Sequence, residues 1–527
     1  MWGYPTNAIE GKERGFVDTL TSPTTYNSAV KSTPVSGPSI ADTLGGLADT
    51  RLARAVRPLL AERAMSAESG FVALREGREA FAARYVLIEA AERTLDVQYY
   101  IWHDDMAGGL LLDALLRAAA RGVRVRLLLD DNNTKGLDAL LAAVDSHDGV
   151  EVRLFNPFRH RRWRVIDYVT DFARLNRRMH NKSLTADGRV TVVGGRNVGD
   201  EYFDVGHDVM FVDLDVLAIG PVVDDVSRDF ERYWTSEAAR PASETLPPID
   251  ASTVREQCEA VARWRDDPDA HSYTSAVATI PLVRELLGGT LPVQWAVATM
   301  ISDDPMKVLG SVNEQQLVFT RLKAFIGMPT TALRLISPYF VPGRKGVEYL
   351  AQLAARGVHI QILTNSLEAT DVAAVHAGYA KRRRPLLRAG IGLFELRRDE
   401  AAPSPAKLRS GVGSMGSSGS SLHAKTLAVD DARVFVGSFN LDPRSARLNT
   451  ELGFLIDSPV LAREIATAFA ERIPRRAYRL GLADGSRVEW EDRRDGDTRI
   501  FTSEPGARLW QRTIASLLSL LPIEWLL

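Results

Sequence analysis

Two segments of the chain carry the same polar residues at the same spacing. In the segment RMHNKSLTADGRVTVVGGRN these residues are His180, Lys182, Asp187 and Asn197. In the later segment SLHAKTLAVDDARVFVGSFN they are His423, Lys425, Asp430 and Asn440. A lone histidine and lysine two residues apart would most often be ordinary turn residues. All four types recur here while most residues between them differ, which favours shared chemistry over a merely shared scaffold.

Strand geometry explains why this spacing suits a reactive site. Side chains alternate between the two faces of a strand, so His180 and Lys182 point the same way. After the turn at Asp187-Gly188, the chain returns as RVTVVGG and carries Asn197 back toward the same end. If the two segments pack face to face about a pseudo-twofold axis, both sets of side chains meet at one point.

The combined set of groups suits a phosphodiester. Two ammonium groups and two amides can bind the non-bridging oxygens and stabilise the charge of an in-line displacement. One imidazole can attack phosphorus while the other protonates the leaving alcohol, because the pKa of histidine lies near neutral pH. No carboxylates have the spacing of a divalent-metal site, so we expect neither a metal nor a cofactor.

A repeated strand–helix–strand unit must position these segments. The first copy consists of TLDVQYYIW (94–102), GGLLLDALLRAAARG (108–122) and VRVRLLLDD (123–131). The second consists of ALRLISPYFV (332–341), GVEYLAQLAARG (346–357) and VHIQILTNS (358–366). Strand, helix and strand in series predict a duplicated α/β fold with mostly parallel sheet.

Composition restricts the class of protein. With 527 residues, 45% of them hydrophobic and 25% charged, the chain predicts a globular protein of two or three domains. The formal net charge of −2 disfavours adaptation of the whole chain to nucleic acid. The single cysteine, Cys258, excludes an intrachain disulfide and a cysteine-based zinc site. We expect no signal peptide, and no apolar run of about 18 residues predicts a transmembrane helix.

Composition also predicts a division of the chain. We expect a partly disordered tail at 1–69, a first domain at 70–245, a linker or insertion at 246–300, a second domain at 301–470 and a C-terminal extension at 471–527. Within the tail, residues 19–46 are rich in Ser, Thr, Pro and Gly, which is typical of a flexible segment. The Gly/Ser run at 410–422 predicts a mobile loop.

Three further segments allow two interpretations each. The run FRHRRWRVIDYVTDFARLNRRMH (158–180) would hold an anionic headgroup at an interface or form a solvated basic helix or loop. The same alternatives apply to KRRRPLLR (381–388). The closing RLWQRTIASLLSLLPIEWLL (508–527) would lie in a bilayer interface, with its tryptophans at headgroup depth, or pack on the domain core.

The doubled H-x-K-x4-D, followed by G-G/S-x-N, resembles the signature of the phospholipase D superfamily over about residues 75–470. The resemblance implies two α/β/α sandwich domains with mixed, largely parallel sheets, packed about a pseudo-twofold axis with the active site between them. It further implies a metal-independent ping-pong reaction in which His180 is the nucleophile and His423 the acid/base.

The same resemblance implies roles for several carboxylates. Glu451, in RSARLNTELGF, matches the carboxylate of the family after the second motif and would hold His180. Asp213, in FVDLDVLAIGPVV, would hold His423, and Asp215 and Asp208 are alternatives. We include Asp187 and Asp430 in the catalytic set, but expect them to organise the turns rather than to react with phosphate.

Other segments resemble the bacterial cardiolipin synthases that lack N-terminal transmembrane helices. Among them are LDVQYYIW, RLNRRMHNKS, GSFNLDPRSARLNTE and LPIEWLL. The resemblance implies transfer of a phosphatidyl group from phosphatidylethanolamine or phosphatidylglycerol to phosphatidylglycerol, through a phosphohistidine. It also implies phospholipids and a membrane surface as partners, no nucleic acid, and a peripheral location on the cytosolic face of the inner membrane. The need for an accessory protein stays open.

Three alternatives to this function differ in what they require. Hydrolysis by a phospholipase D differs from transfer only in the exclusion of water, which depends on the shape of the pocket. A nuclease of the same superfamily is disfavoured by the near-neutral charge and the apolar C-terminus. A catalytically silent membrane scaffold is disfavoured because both motifs are intact.

Overall fold

The computed structural model describes residues 49–61, 63, 66–205, 211–370, 372–398, 421–494 and 497–520. Several features predicted from the sequence lie outside these residues, wholly or in large part. They are the Ser/Thr/Pro/Gly-rich segment 19–46, the Gly/Ser run 410–422, the alternative carboxylate Asp208 and the closing residues 521–527.

The first half is built on a mixed sheet. Its strands are β1 (Glu68–Leu74), β2 (Thr94–Tyr99), β3 (Arg124–Asp130), β4 (Val150–Phe155), β5 (Ser183–Ala186), β6 (Val190–Gly194), β7 (Phe211–Val212), β8 (Asp215–Ile219) and β9 (Ala239–Pro241). All except β7 pair in the order β9-β4-β3-β2-β5-β6-β8-β1. The pairs β2–β3 and β3–β4 are parallel, so their carboxyl ends lie at one edge.

The second half repeats this topology. Its strands are β10 (Gln294–Ser302), β11 (Ala332–Ile336), β12 (His359–Asn365), β13 (Gly392–Leu396), β14 (Ser421–Leu422), β15 (Thr426–Val429), β16 (Arg433–Gly437), β17 (Leu452–Ile456), β18 (Ala477–Ala483), β19 (Arg487–Arg494) and β20 (Asp497–Phe501). The order β18-β13-β12-β11-β15-β16-β17-β10 matches the first half strand by strand. Strands β19 and β20 extend the sheet beyond β18.

Helices connect the strands and cover the sheets. Those of the first half are α1 (Arg51–Ala61), α2 (Gly77–Ala90), α3 (Met106–Ala120), α4 (Asp138–Asp145), α5 (Arg164–Thr170), α6 (Phe172–Leu175), α7 (Pro221–Trp234) and α8 (Ala242–Thr245). Between the halves lie α9 (Ala251–Asp266), α10 (Pro268–Ala278) and α11 (Pro281–Gly288). Those of the second half are α12 (Val318–Ile326), α13 (Gly343–Ala355), α14 (Ala373–Ala380), α15 (Arg383–Arg388), α16 (Pro443–Arg447), α17 (Pro459–Thr467), α18 (Ile473–Arg476) and α19 (Leu509–Leu520).

The unit β2–α3–β3 illustrates how the local sequence builds the fold. Every residue of β2 is buried, as its apolar and aromatic content predicts. Helix α3 begins after Asp105, whose side chain accepts a hydrogen bond of 2.9 Å from the backbone N–H of Gly108. The chain leaves α3 through Gly122, whose φ of 91° lies in the left-handed region that glycine adopts at least cost.

The duplicated α/β fold expected from the sequence is confirmed, with one correction. Among the described strands, antiparallel pairs outnumber parallel ones, so the sheets are mixed rather than largely parallel. The reason is that each motif forms a hairpin, β5–β6 in the first half and β15–β16 in the second. A tight turn can join two strands only in the antiparallel sense.

Strand β10 joins the two halves. Residues 294–297 of β10 pair with β1, and residues 298–302 pair with β17. The preceding helix α9, in the segment predicted as a linker or insertion, packs against α3 and α4. Apolar side chains from both sheets form a core between the halves, in which the rings of Phe71 and Phe454 lie 5.9 Å apart. Burying one such ring contributes about 1.5–3 kcal/mol, so the relative placement of the halves is well stabilised.

The C-terminal extension belongs partly to the second half. Strand β18 pairs with β13, and α19 packs against α14. Leu509, Trp510 and Leu517 of α19 nevertheless remain exposed. Within the part of the chain that the structure describes, no helix combines the length and apolar character needed to cross a membrane.

Candidate active site

The segment before each hairpin pairs with the opposite half of the molecule. The backbone N–H of His180 donates to the carbonyl of Thr450, and the N–H of Thr450 donates to the carbonyl of Arg178, both at 2.9 Å. In the second half, the N–H groups of His423 and Ala424 donate to the carbonyl of Val212 at 2.9 and 3.0 Å. Each histidine is therefore fixed by backbone bonds between the halves.

The carboxylates cross over in the same way. Nδ1 of His180 lies 2.9 Å from Oε2 of Glu451, and Nδ1 of His423 lies 2.6 Å from Oδ2 of Asp213. Both contacts agree with the pairing predicted from the sequence. The alternative Asp215 instead binds the buried guanidinium of Arg84 at 2.8 Å. Each carboxylate can hold its imidazole with Nδ1–H directed at the protein, which leaves Nε2 for reaction.

Glu451 lies in a fully buried pocket of hydroxyl donors. Ser445 Oγ donates to Oε1 at 2.6 Å, and Ser438 Oγ donates to Oε2. Burial raises the pKa of Glu451 to about 7, although Lys182 and the two serines favour the charged form. Near neutral pH this carboxyl group therefore changes between its neutral and charged states.

Asp213, unlike Glu451, keeps its negative charge near neutral pH. Burial alone would raise the pKa of Asp213, but His423 and Lys425 more than offset this effect and hold it below its ordinary value. Asp213 is therefore a carboxylate throughout the neutral range. The two histidines thus have partners of the same chemical type but of different protonation behaviour.

The two lysines place both motifs in one electrostatic environment. Burial, Lys182 and Lys425 lower the pKa of His180 well below its ordinary value. Burial and Lys425 also lower the pKa of His423 to about 3, against the effect of Asp213. Each imidazole thus responds to a lysine of the opposite motif, which brings the two motifs into a single site. Without an anion, both imidazoles are neutral.

Both lysine side chains are buried and bonded to the backbone of the histidine of their own motif. Lys182 Nζ donates to the carbonyl of His180 at 2.6 Å, and Lys425 Nζ donates to the carbonyl of His423. Burial and the charge of Lys425 lower the pKa of Lys182 well below its ordinary value. Two buried ammonium groups without a nearby surplus of negative charge favour the binding of an anion.

The asparagines border the same site. Asn197 accepts a hydrogen bond from the N–H of Ile101 at 3.3 Å and donates to the hydroxyl of Tyr202 at 3.1 Å. Asn440 is buried, and among the described residues its Oδ1 has no hydrogen-bond partner. The two amides therefore occupy corresponding places. The amide oxygen of Asn197 already accepts a hydrogen bond, whereas that of Asn440 accepts none from the described residues.

Asp187 and Asp430 lie at the other end of the hairpins. Asp187 accepts from the backbone N–H groups of Glu92, Arg93 and Thr94 at 2.8–3.3 Å. Asp430 accepts from the N–H groups of residues 330–332 at 2.8–3.1 Å. These contacts agree with the expected turn-organising role. The structure does not bring either aspartate to the histidines.

The sequence did not single out several residues that complete the site. The ring of Tyr100 lies 4.9 Å from that of His180, and the ring of Tyr202 lies 5.1 Å from that of His423. Their positions, within YYIW and within GDEYF, carry no spacing signal that would distinguish them from core aromatics. Ser438 stands in the G-G/S-x-N pattern, but its bond to Glu451, like that of Ser445, was not foreseen.

One group of described residues has the geometry of a metal site. It consists of His103, Asp105 and Glu201, and it includes none of the motif residues. The basic segment 381–388 is partly internal, because Arg383 is buried and bonded to Glu395 at 2.7 Å and to Glu504. Neither the group around His103 nor the contacts of Arg383 described here include His180 or His423.

Taken together, a duplicated fold with two imidazoles, two ammonium groups and crossed carboxylates defines a phospholipase D-type enzyme of phosphoryl-group transfer. The family described as "Cardiolipin synthase, PLD-like domain" matches residues 85–234 and 322–473. These matches cover more than half of the chain. The chain therefore belongs to the cardiolipin synthase family of phospholipase D-like enzymes.

Individual relatives agree with this family. The chain is 50% identical to cardiolipin synthase C of Escherichia coli (strain K12) over 477 residues, which cover 90% of this chain and 100% of that protein. It is 26% identical to cardiolipin synthase A of Pseudomonas entomophila (strain L48), over 79% of this chain and 71% of that one.

A solved structure supports the fold. The crystal structure of phosphatidylserine synthase from Haemophilus influenzae Rd KW20 superposes with a TM-score of 0.55 at 15% identity. It covers 87% of this chain and 95% of the other.

Proposed function

We propose that the protein is a cardiolipin synthase that transfers a phosphatidyl group from a donor phospholipid to phosphatidylglycerol through a phosphohistidine. The observation that carries this proposal is the crossed pairing of His180 with Glu451 and of His423 with Asp213. One bipartite site can then supply a nucleophile and an acid/base on opposite sides of one phosphorus. The names of the relatives supply the lipid class.

The first half-reaction forms the covalent intermediate. The donor phosphodiester binds between Lys182 and Lys425, and its charge offsets the ammonium groups that lower the pKa of both imidazoles. His423 can then enter the reaction protonated. Nε2 of His180 attacks phosphorus, the bond to the headgroup oxygen breaks, and His423 gives its proton to that oxygen. The products are a phosphatidyl-His180 and a free headgroup alcohol.

The second half-reaction restores the enzyme. The glycerol hydroxyl of phosphatidylglycerol enters the place that the first alcohol left. Neutral His423 takes the proton of this hydroxyl, and the oxygen attacks phosphorus as the bond to Nε2 of His180 breaks. The product is cardiolipin, and His423 again carries the proton. Asp213 favours the imidazolium form of His423 in both steps.

The donor, the acceptor and the place of action form the finer part of the proposal. Phosphatidylethanolamine and phosphatidylglycerol are both candidate donors, because each has a phosphodiester and a leaving alcohol. The site uses no metal in this scheme, since the lysines and asparagines can stabilise the charge. We propose a peripheral location on the cytosolic face of the inner membrane, where both lipids are present.

A lipid assay tests the proposal. Purified protein is incubated with radiolabelled phosphatidylglycerol in vesicles, with and without phosphatidylethanolamine, and the products are separated. We expect labelled cardiolipin in at least one condition and none with a His423→Asn variant of unchanged melting temperature. Phosphatidic acid as the main product would show a hydrolytic phospholipase D instead. Cleavage of a labelled oligonucleotide without lipid turnover would show a nuclease.

A further inference from the structure

An exposed apolar surface lies on the segment that leads into the first motif. It consists of side chains from α5, α6 and the residue before them. These are Trp163, Val165, Ile166, Val169 and Phe172, and we call them the docking patch. Val165 and Val169 are 75% and 80% exposed, and Trp163 is 65% exposed. Single exposed apolar residues are ordinary, but a cluster of large ones on ten residues marks an interaction surface.

Two arginines of this segment, Arg161 and Arg164, have largely buried side chains, whereas Arg159 and Arg162 are exposed. Arg161 binds the buried carboxylate of Asp131 and that of Asp138, each at 2.6 Å. Arg164 donates to the carbonyl of Asp131 at 3.1 Å and stacks 4.7 Å from the ring of Phe158. Both arginine side chains are largely buried. Arg161 and Arg164 therefore do not form a solvated basic face, and the side chains exposed around them include those of the docking patch.

Two hydrogen bonds and one ring contact lead from Tyr168, beside the patch, to His180. The hydroxyl of Tyr168, beside the patch, donates to Oδ1 of Asn132 at 2.6 Å. The next residue, Asn133, donates to the carbonyl of Tyr100 at 3.2 Å, and the ring of Tyr100 contacts that of His180. The patch therefore lies at the edge of the site rather than on a remote face.

A second connection reaches the other half of the site. Arg444 of α16 donates to the side chain and the carbonyl of Asn176 at 2.6 and 2.8 Å. Asn176 follows α6 directly, and α16 lies between Asn440 and Glu451 in the chain. The segment that carries the patch is thus fastened to both halves beside the histidines.

We propose that the docking patch inserts into the interfacial layer of a lipid bilayer and so places the entrance of the His180–His423 site at the membrane surface. The occupant follows from the chemistry of the substrate, so this inference rests on the proposed function: lipids with two acyl chains stay in the bilayer, and the enzyme must come to them. Tryptophan and tyrosine beside exposed aliphatic residues are suited to headgroup depth. The short length of α5 limits insertion to the interface.

A paired substitution tests the patch. The variant Val165→Asp/Val169→Asp carries two charges that insertion would have to bury in the bilayer. We therefore expect its binding to vesicles to be at least about tenfold weaker. The control is Val460→Asp, an exposed valine on α17 of the second half, which should bind like the parent. Binding is measured by sedimentation with vesicles of phosphatidylglycerol and phosphatidylcholine, without turnover. Both variants should keep the parental melting temperature.

Activity on two forms of substrate separates docking from catalysis. With a short-chain phosphatidylglycerol below its critical micelle concentration, the paired variant should keep the parental rate, while its rate on vesicles falls. Unchanged vesicle binding by the paired variant, or an equal loss by Val460→Asp, would overturn the inference. If the parent binds vesicles through the patch but makes neither cardiolipin nor phosphatidic acid, the proposed function fails and the docking surface stands.

A fluorescent label locates insertion directly. Val169→Cys is labelled with an environment-sensitive dye in a Cys258→Ser background, since Cys258 is the sole cysteine. Vesicles should shift its emission to shorter wavelength, and a label at Val460→Cys should not respond. A label at residue 169 that stays in water while the protein is vesicle-bound would also refute the inference. If an added protein, and not vesicles, shifted the emission of that label, the patch would be assigned to a protein partner.

Discussion

Oε2 of Glu451 lies 2.9 Å from Nδ1 of His180, although the two residues belong to different halves of a duplicated chain. The contact favours the tautomer with Nδ1–H directed at Glu451, which is the one that the proposed attack by Nε2 of His180 requires. It also makes each half incomplete without the other. A change at Glu451 should therefore act on the reactivity of a histidine far away in sequence.

Glu451→Gln should lower the rate of transfer by about a hundred- to ten-thousand-fold, because the amide no longer enforces the reactive tautomer. It should not destabilise the protein above neutral pH. Burial raises the pKa of Glu451 to about 7, so the folded state disfavours the carboxylate. The stability of the folded protein therefore falls as pH rises from 4.5 to 7. The melting temperature at a pH of about 8 should equal or exceed that of the parent. A rate within tenfold of the parent would contradict this role.

The same pKa predicts the acid limb of the activity profile. As pH falls through about 7, Glu451 takes up a proton and loses the negative charge that stabilises the Nδ1–H form of His180. The rate of phosphoenzyme formation should therefore drop with an apparent pKa near 7. Asp213 should not produce a limb in this range, because its pKa is held below the ordinary value. An acid limb that persists unchanged in Glu451→Gln would assign it to another group.

Acid-quench trapping distinguishes the two histidines. With His180→Asn, no labelled phosphoenzyme should form, because the attacking nitrogen is absent. With His423→Asn and a donor whose leaving group needs no protonation, such as a nitrophenyl phosphodiester, the phosphoenzyme should form and persist. The accumulation of label is the measurement. If the His180→Asn protein became labelled, the roles of nucleophile and acid/base would have to be exchanged between the two histidines.

Lys425→Ala should lower turnover severely, because one of the two ammonium groups that bind the phosphodiester is lost. Lys425 is buried, and its charge acts against that of Lys182, so its removal relieves this repulsion and should cost little stability. Turnover and the urea-unfolding midpoint are measured on the same preparation. A midpoint shift large enough to account for the lost activity would refute the assignment.

Asp187→Ala should act on stability rather than on chemistry. The side chain is fully buried and satisfies three consecutive backbone N–H groups. Its removal should cost about 1–3 kcal/mol, and more than Asp430→Ala, whose partners at residues 330 and 331 are exposed. Urea unfolding gives both values. The folded fraction of each variant should keep most of its activity, whereas a rate lost without any loss of stability would place the aspartate in the reaction.

The sequence alone determined the parts of this protein that depend on local pattern. Duplication, the strand–helix–strand units and the two sets of His, Lys and Asn follow from periodicity and spacing, which are visible along the chain. Glu451 was identified by its match to a family motif. The aspartates of the motifs were expected to organise the turns, and both adopt a positive φ, which aspartate tolerates.

Only the tertiary structure decided which groups meet across the halves. Strand alternation could not separate Asp213 from Asp215, because residues two apart share a face. Asp213 lies between β7 and β8, where it reaches His423, whereas Asp215 binds Arg84 within the first half. The antiparallel hairpins, the strand β10 shared by both sheets and the tyrosines beside the histidines are likewise long-range results. Arg161 and Arg164 belonged to a basic run in the sequence, and their contacts with the buried Asp131 hold both side chains inside. Such contacts join residues far apart in the chain, so no local pattern can specify them.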